Sequence, residues 1–149
     1  MKPKARTRVL VEEDYPAWNR MVASAPSGSI YATPEYLGAL CEATGGRFRI
    51  LAADRGDELV GGVALYEESS RLGPSVSTRL LLQYNGIVLR AWDTGYPSQR
   101  TARNLEQLSA LRRGLDEPGY ARLSLKCRHP FADARVFLQA GWTVRPTYT

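Results

Sequence analysis

LLLQYNGIVL, residues 80–89, is the longest apolar run in the chain, and Tyr84-Asn85-Gly86 interrupts it. A short run of leucine, isoleucine and valine between turn residues predicts a fully buried strand. The glycine in the interruption is the residue type that tolerates a bulge or a close backbone approach. We therefore predict a central strand at 79–90 whose hydrogen-bond ladder breaks in the middle, leaving a cleft beside the break.

The composition indicates one ordinary globular domain. The chain has 149 residues and a formal net charge of +5, a basic excess that fits either general solubility or a phosphate-rich partner. Cys41 and Cys127 follow no metal or redox spacing, so we predict that both are buried free thiols. No segment is apolar enough for a signal peptide or a membrane span, and the predicted location is the cytoplasm.

Apolar periodicity and turn residues place the other elements. Helices are predicted to begin at Asp14, Thr33 and Ser98, which are residue types that cap helices, and a last helix covers 131–140. The predicted strands are 8–12, 48–53, 59–66, 79–90, 122–128 and 143–149, with a polar loop at 67–77. The order β-α-α-β-β-β-α-β-α-β predicts an α/β fold with a mixed, mostly antiparallel sheet flanked by helices.

This order is that of the GNAT (acyl-CoA N-acyltransferase-like) fold, and several stretches resemble one group within it. They are similar to the first of the two GNAT-like domains of the Fem-type (FemAB-like) peptidoglycan aminoacyltransferases. The stretches are Trp18, 27–31, 33–37, 60–66, 84–89, 133–137 and 141–149. The resemblance covers nearly the whole chain, so residues 1–149 are predicted to form a single GNAT-like domain.

The resemblance implies an activity and a set of partners. Fem-type proteins transfer an amino acid from aminoacyl-tRNA to the amino group of a cell-wall precursor peptide, and they need no metal. For this chain the resemblance implies an acyltransferase domain that acts on an envelope-precursor amine, with aminoacyl-tRNA as the donor. The family has two such domains, so this chain is expected to act with a second GNAT-like domain or as a homodimer, and to have little turnover alone.

The sequence departs from the acetyltransferase pattern after the central strand. Acetyltransferases of this fold carry a glycine-rich turn there, whose amides hold the pyrophosphate of the coenzyme. The corresponding stretch here, 92–98, has one glycine and one proline, which argues against acetyl-CoA and leaves no predicted cofactor. Two alternatives stay open: a single-domain N-acetyltransferase that uses acyl-CoA, and a GNAT-like binding module without catalysis.

The candidate substrate-binding residues lie at the break and beside it. The interruption contains a phenol from Tyr84, an amide from Asn85 and, at Gly86, a backbone that no side chain covers. Tyr31 is predicted to reach the same groove. Arg128 shares one face of the predicted strand 122–128 with two other cations, which suits a phosphate-bearing ligand. The alternatives are a purely structural bulge and a simply solvated strand face.

No residue is assigned as catalytic. His129 is the only histidine, so a metal site built on imidazole is not expected, and no nucleophile elbow accompanies it. Glu67 and Glu68 follow a strand and are interpreted as solvated rather than as a general base. Asp133 is interpreted as stabilising the start of the last helix.

Overall fold

A computed structural model describes residues 4–93 and 95–148. Residues 1–3, Thr94 and Thr149 lie outside the described chain. Thr94 belongs to the stretch 92–98 discussed above, and Thr149 to the predicted last strand. The strands are β1 Ala5–Val9, β2 Arg47–Arg55, β3 Glu58–Ser70, β4 Gly73–Val76, β5 Ile87–Leu89 and β6 Arg122–Leu123. The helices are α1 Tyr15–Ser24, α2 Pro34–Thr44, α3 Pro97–Asp116 and α4 Arg135–Gln139, with 3₁₀ turns at Glu12–Asp14 and Ile30–Ala32. The predicted α/β class with a mostly antiparallel sheet is confirmed.

The sheet is divided along the long strand β3. Its order is β1-β2-β3-β4-β6, and β5 also pairs with β3. On one side of β3, Val63 ends the pairing with β5 and Glu67 begins the pairing with β4. Residues 64–66 therefore have no strand partner on that side within the described chain. We call this gap the sheet break, and the segment that crosses it, residues 77–86, the 77–86 loop.

Two apolar layers cover the two faces of the sheet. Trp18 of α1 and Leu37 of α2 are fully buried on one face, and Leu108 and Leu111 of α3 are buried on the other. From Val63 to Tyr66 the side chains of β3 enter the two layers in turn, since successive residues of a strand point to opposite faces. The sheet break therefore lies between the layer formed by α1 and α2 and the layer formed by α3.

Gly62 shows why a glycine stands in the middle of β3. A Cβ there would lie 2.6 Å from a ring carbon of Trp18 and 2.7 Å from the carbonyl oxygen of Leu51. The indole Nε1–H of Trp18 donates to the carbonyl of Ala32 at 2.8 Å, which fixes the ring against the sheet. Gly62 therefore stands where Trp18 and the neighbouring strand pack directly against the backbone of β3.

The predicted central strand at 79–90 is wrong over most of its length. Only Ile87–Leu89 is a strand, while Leu80 and Leu81 are 83% and 67% exposed. Arg79 and Leu82 close a turn through reciprocal backbone bonds of 3.3 and 3.0 Å, and Leu81 has φ 67°. The three leucines suggested a strand by composition, but a turn cannot keep all of them against the core, and only Leu82 is buried.

Other boundaries also differ from the prediction. The predicted loop at 67–77 contains the end of β3 and all of β4, because these strands form a hairpin. Strand 122–128 shortens to Arg122–Leu123 and helix 131–140 to Arg135–Gln139. No strand occurs at 143–148, where the described chain offers no pairing partner. Helix α3 starts at Pro97 with Tyr96 as N-cap instead of Ser98, whereas the Thr33 cap of α2 is confirmed by its bond with the Tyr36 amide.

Candidate functional site

The side chain of Asn85 closes one edge of the sheet break. Its Nδ2 donates to the carbonyl of Ser124 at 2.9 Å, and its Oδ1 accepts from the amide of Lys126 at 2.7 Å. The backbone N–H of Asn85 also donates to the Lys126 carbonyl. The side chain is buried, and both its polar atoms are satisfied by backbone. Asn85 thus replaces strand pairing where the ladder is interrupted, and it positions the segment after β6.

Gly86 lies against Cys127 with no room for a side chain. A Cβ on Gly86 would lie 2.7 Å from Sγ and 2.9 Å from Cβ of Cys127. Ser27 donates from its hydroxyl to the Ile87 carbonyl at 3.2 Å, which ties the α1–α2 connection to the same place. The glycine predicted to permit a close approach does so in the structure.

A small recess lies beside Asn85 on the face covered by α1 and α2. Its cavity volume is about 10 Å³, about the room that one water molecule needs. The lining residues, which define what we call the polar recess, are Ser27, Ser29, Tyr31, Ala32, Ala64, Tyr84, Asn85, Gly86, Ile87, Val88 and Arg128. All five predicted substrate-binding residues are brought together here. Their binding role remains a prediction.

Aromatic rings and cations surround the polar recess. The Tyr84 ring lies 5.5 Å from Nζ of Lys126 and 5.9 Å from the guanidinium carbon of Arg128. Tyr31 contacts Tyr84 and packs edge-on against Tyr36 at centroid distances of 6.2 and 5.2 Å. Arg128 donates to the carbonyl of Gly28, and the Tyr36 hydroxyl donates to the carbonyl of Leu81. Within the described chain the hydroxyls of Tyr31 and Tyr84 make no hydrogen bond, so they are free to bind a ligand.

A much larger cleft opens on the other face of the sheet, between the segment after β6 and the C-terminal segment. Its volume is about 700 Å³, within the range of small-molecule sites. We call it the C-terminal cleft, and it is lined by Thr78, Ile87, 123–127, His129, Phe131, Ala132, Ala134, Phe137 and 142–147. Ile87 lines both the cleft and the polar recess. The two sites therefore meet at the sheet break from opposite faces.

Two reactive residue types line the C-terminal cleft. Burial raises the pKa of the Cys127 thiol, so the thiolate needed for nucleophilic attack is disfavoured. His129 is exposed at the cleft, a placement that its position in the turn before Pro130 did not reveal. Within the described residues there is no group of metal-ligating side chains. Nor does any helix of the described chain have the length and apolarity to cross a bilayer.

The start of α3 offers few amides to a phosphate group. Pro97 has no N–H, and the amides of Gln99 and Arg100 both donate to the Tyr96 carbonyl, at 2.9 and 3.1 Å. Nearby, the guanidinium groups of Arg90 and Arg103 lie 5.7 and 4.9 Å from the Trp92 ring centroid. Phosphate binding at this end of the molecule would therefore depend on side-chain cations rather than on a backbone cradle.

Glu67 is not a solvated loop residue as the sequence suggested. It lies in β3, is 5% exposed, and its Oε1 accepts from Nε of Arg49 at 2.5 Å. Tyr120 lies beside this pair, and within the described chain its hydroxyl has no hydrogen-bond partner. Burial, followed by the nearby Glu67 carboxylate, raises the pKa of Tyr120 to about 12. None of these groups lines either site, so we assign the cluster to the fold.

Tyr120 should make stability fall at alkaline pH. Because its folded pKa is raised above the usual value of about 10, the folded chain keeps a proton that the unfolded chain loses. The stabilisation is therefore complete below about pH 10 and is lost as pH rises through the folded pKa of about 12. Urea unfolding at about pH 9 and about pH 11 should show a smaller loss for Tyr120→Phe than for the parent chain. Equal losses would contradict this assignment.

The walls of the C-terminal cleft were the part that the sequence did not reveal. Residues 143–149 were predicted as a strand, and nothing in the residue pattern indicates that residues 142–147 form the far wall of a cleft. The one available signal was the Phe137–Trp142 pair, with ring centroids 5.0 Å apart, which fixes the end of α4 against the start of that wall. Asp133 precedes the N-cap Ala134 of α4 and accepts from the Arg135 amide at 3.3 Å, which fits the expected stabilisation of the start of this helix.

The divided sheet with helices on both faces is the fold of the GNAT acetyltransferases. The ribosomal-protein-alanine N-acetyltransferase of Brucella melitensis biovar Abortus 2308 matches with a TM-score of 0.52 and 17% identity, over 97% of this chain and 96% of its own. An aminoglycoside acetyltransferase from an uncultured soil metagenomic sample, solved with trehalose, matches with a TM-score of 0.52 and 17% identity, over 97% and 95%. No protein-family model and no curated protein matches the sequence.

Proposed function

We propose that the chain is a GNAT-fold N-acyltransferase that passes an acyl group from a thioester donor to an amine through the sheet break. The observation that carries this proposal is that two recesses on opposite faces share Ile87. The C-terminal cleft, at about 700 Å³, has room for the donor. The polar recess, which has room for about one water molecule, receives the amino group of the acceptor beside the hydroxyls of Tyr31 and Tyr84.

The chemistry requires a neutral amine and a stabilised oxyanion. The amine nitrogen attacks the thioester carbonyl carbon, the carbon–sulfur bond breaks, and the thiolate leaves while the amine loses a proton. Lys126 and Arg128 beside Tyr84 favour negative charge on the carbonyl oxygen and disfavour a protonated amine nearby. The free hydroxyls of Tyr84 and Tyr31 are the candidate donors to the substrate.

The comparison supports a reaction of this kind without a second domain. Both matched proteins are named as acetyltransferases, and they are covered over 96% and 95% of their own lengths. One is named as an N-acetyltransferase of a ribosomal-protein alanine and the other as an aminoglycoside acetyltransferase. We therefore place the acyl thioester reaction ahead of the Fem-type reaction for this chain.

A Fem-type aminoacyl transfer is the second candidate function. It is favoured by the start of α3, where Pro97 and the Tyr96 carbonyl leave few amides for a coenzyme pyrophosphate. In that reaction an aminoacyl-tRNA ester replaces the thioester, and the acceptor is the amine of an envelope precursor. A second GNAT-like domain or a second copy of the chain would then complete the enzyme.

A donor-by-acceptor assay separates the two candidates. The purified chain is incubated with acetyl-CoA, decanoyl-CoA or alanyl-tRNA, each with a polyamine, an aminoglycoside, a peptide amine or a muramyl-peptide precursor. Mass spectrometry detects the acylated amine. Transfer from a thioester with release of free thiol is the result we expect. Transfer from alanyl-tRNA alone would replace the proposal by the Fem-type reaction, and no transfer from any donor would reject both for the isolated chain.

Removing one hydroxyl tests the role of Tyr84. Tyr84→Phe keeps the ring contacts with Lys126 and Arg128 and removes only the free phenol. We expect kcat for acyl transfer to fall by about tenfold or more, the scale of a lost proton donor or hydrogen bond in the transition state. Tyr96→Phe, at a residue 75% exposed outside both sites, is the matched control. If Tyr84→Phe and Tyr96→Phe had the same kcat, the Tyr84 hydroxyl would have no role in acyl transfer.

A further inference from the structure

The C-terminal cleft has an apolar floor that an acetyl group would leave largely uncovered. Its deep lining consists of aliphatic and aromatic side chains from β5, from the segment after β6 and from the α4 region. These residues are Ile87, Leu123, Leu125, Phe131, Phe137 and Trp142. Phe137 and Ile87 are buried, and Val144 lies at the opening, 42% exposed. An apolar surface of this kind gains free energy when a ligand displaces water from it.

The rim of the same cleft is cationic. Arg145 lines it, together with the imidazole of His129, and no carboxylate is among the described lining residues. Arg145 is exposed and makes no ion pair with any described residue. An occupant that matches both parts of the lining has an apolar tail and an anionic head.

We infer that the C-terminal cleft is built for a donor whose acyl chain is of medium length, with the tail on the apolar floor and anionic groups at the rim. The inference rests on the proposed function, since it assigns the acyl group that the reaction transfers. A free medium-chain carboxylate has the same tail and charge without a transferable acyl group. Binding of that carboxylate can therefore be measured independently of any reaction.

The length of the tail should set the affinity. Each methylene moved from water onto the apolar floor is expected to strengthen binding by about two- to fourfold, the larger value corresponding to complete burial. Calorimetric titration of the full chain with hexanoate, octanoate, decanoate and dodecanoate measures this dependence. In the transfer assay, kcat/KM should rise in the same order from acetyl-CoA to decanoyl-CoA.

Two variants at exposed positions locate the binding. Val144→Gln should reduce the dependence on tail length, and Arg145→Gln should weaken decanoate binding by up to about fivefold, less at high salt. The matched controls are Val11→Gln, at a residue 57% exposed, and Arg122→Gln on β6, which does not line the cleft. The controls should bind decanoate as the parent chain does.

The outcomes separate this inference from the proposed function. Length-dependent binding that the two cleft variants weaken supports the inference, even if no amine is acylated and the proposed function fails. No carboxylate binding, affinity independent of tail length, or equal effects of cleft and control variants would overturn the inference. Transfer from acetyl-CoA as efficient as from decanoyl-CoA would also overturn it, while the proposed function would stand.

Discussion

Asn85→Ala is expected to lower the free energy of unfolding by about 1–3 kcal/mol, because it removes two hydrogen bonds that the buried Asn85 side chain makes to the backbone. The Ser124 carbonyl loses its donor and the Lys126 amide loses its acceptor. Each of these hydrogen bonds contributes about 0.5–1.5 kcal/mol net, and the cavity left by the amide adds to the loss. Urea unfolding followed by circular dichroism measures the change.

The same substitution at Asn19 is the control for Asn85. Asn19 donates to Glu35 in an exposed contact between α1 and α2. Surface substitutions of this kind usually change stability by less than about 0.5 kcal/mol. If Asn85→Ala were as mild as Asn19→Ala, the Asn85 side chain would not be holding the segment after β6 at the sheet break.

Gly86→Ala is expected to cost about 1–3 kcal/mol and to reduce acyl transfer strongly. The new Cβ would overlap Cys127, with Sγ at 2.7 Å, so the backbone at the sheet break must separate. Overpacking of this kind typically costs that amount. The displaced backbone also carries Ile87, which lines both recesses, and a shift of about 1 Å in a reacting geometry can lower the rate about a hundredfold.

Gly38→Ala is the matched control for Gly86→Ala. Gly38 lies in α2, and a Cβ there meets nothing within 4 Å. Alanine in a helix is favoured over glycine by about 1 kcal/mol, so this variant should be stabilised with its transfer rate unchanged. A Gly86→Ala chain with the stability and transfer rate of the parent would show that the close approach to Cys127 is not required.

Much of the fold could be predicted because local signals and packing agree. The Thr33 cap and the helical spacing of Leu108 and Leu111 identified α2 and α3. The interruption Tyr84-Asn85-Gly86 identified the sheet break. The pairing of the strands could not be predicted from the sequence in this way. Residues 80–82 could form a strand only if β3 had unpaired residues beside them, and the pairing of β3 with β4 and β5 is not visible in the local sequence.

The candidate site was predictable in part for a similar reason. Tyr31, Tyr84 and Arg128 were chosen for their chemistry, and the structure places them around one recess because the sheet break brings three distant segments together. The C-terminal cleft was not predictable from local pattern. The residues of its far wall, 142–147, mix apolar and polar types as an ordinary strand does. The cleft arises only from where these residues lie relative to the apolar floor, which the local pattern does not show.

Binding of a donor analogue tests the central claim, that the sheet break separates a donor cleft from an acceptor recess. A non-hydrolysable thioether analogue of decanoyl-CoA is titrated into the ¹⁵N-labelled chain, and the three tryptophan indoles are followed by NMR. We predict that the indole signal of Trp142, in the C-terminal cleft, shifts together with the amide signals of residues 124–129. The indole signal of Trp18, which is buried and donates to the Ala32 carbonyl, should not shift. A saturable titration that leaves Trp142 and 124–129 unchanged would contradict the account.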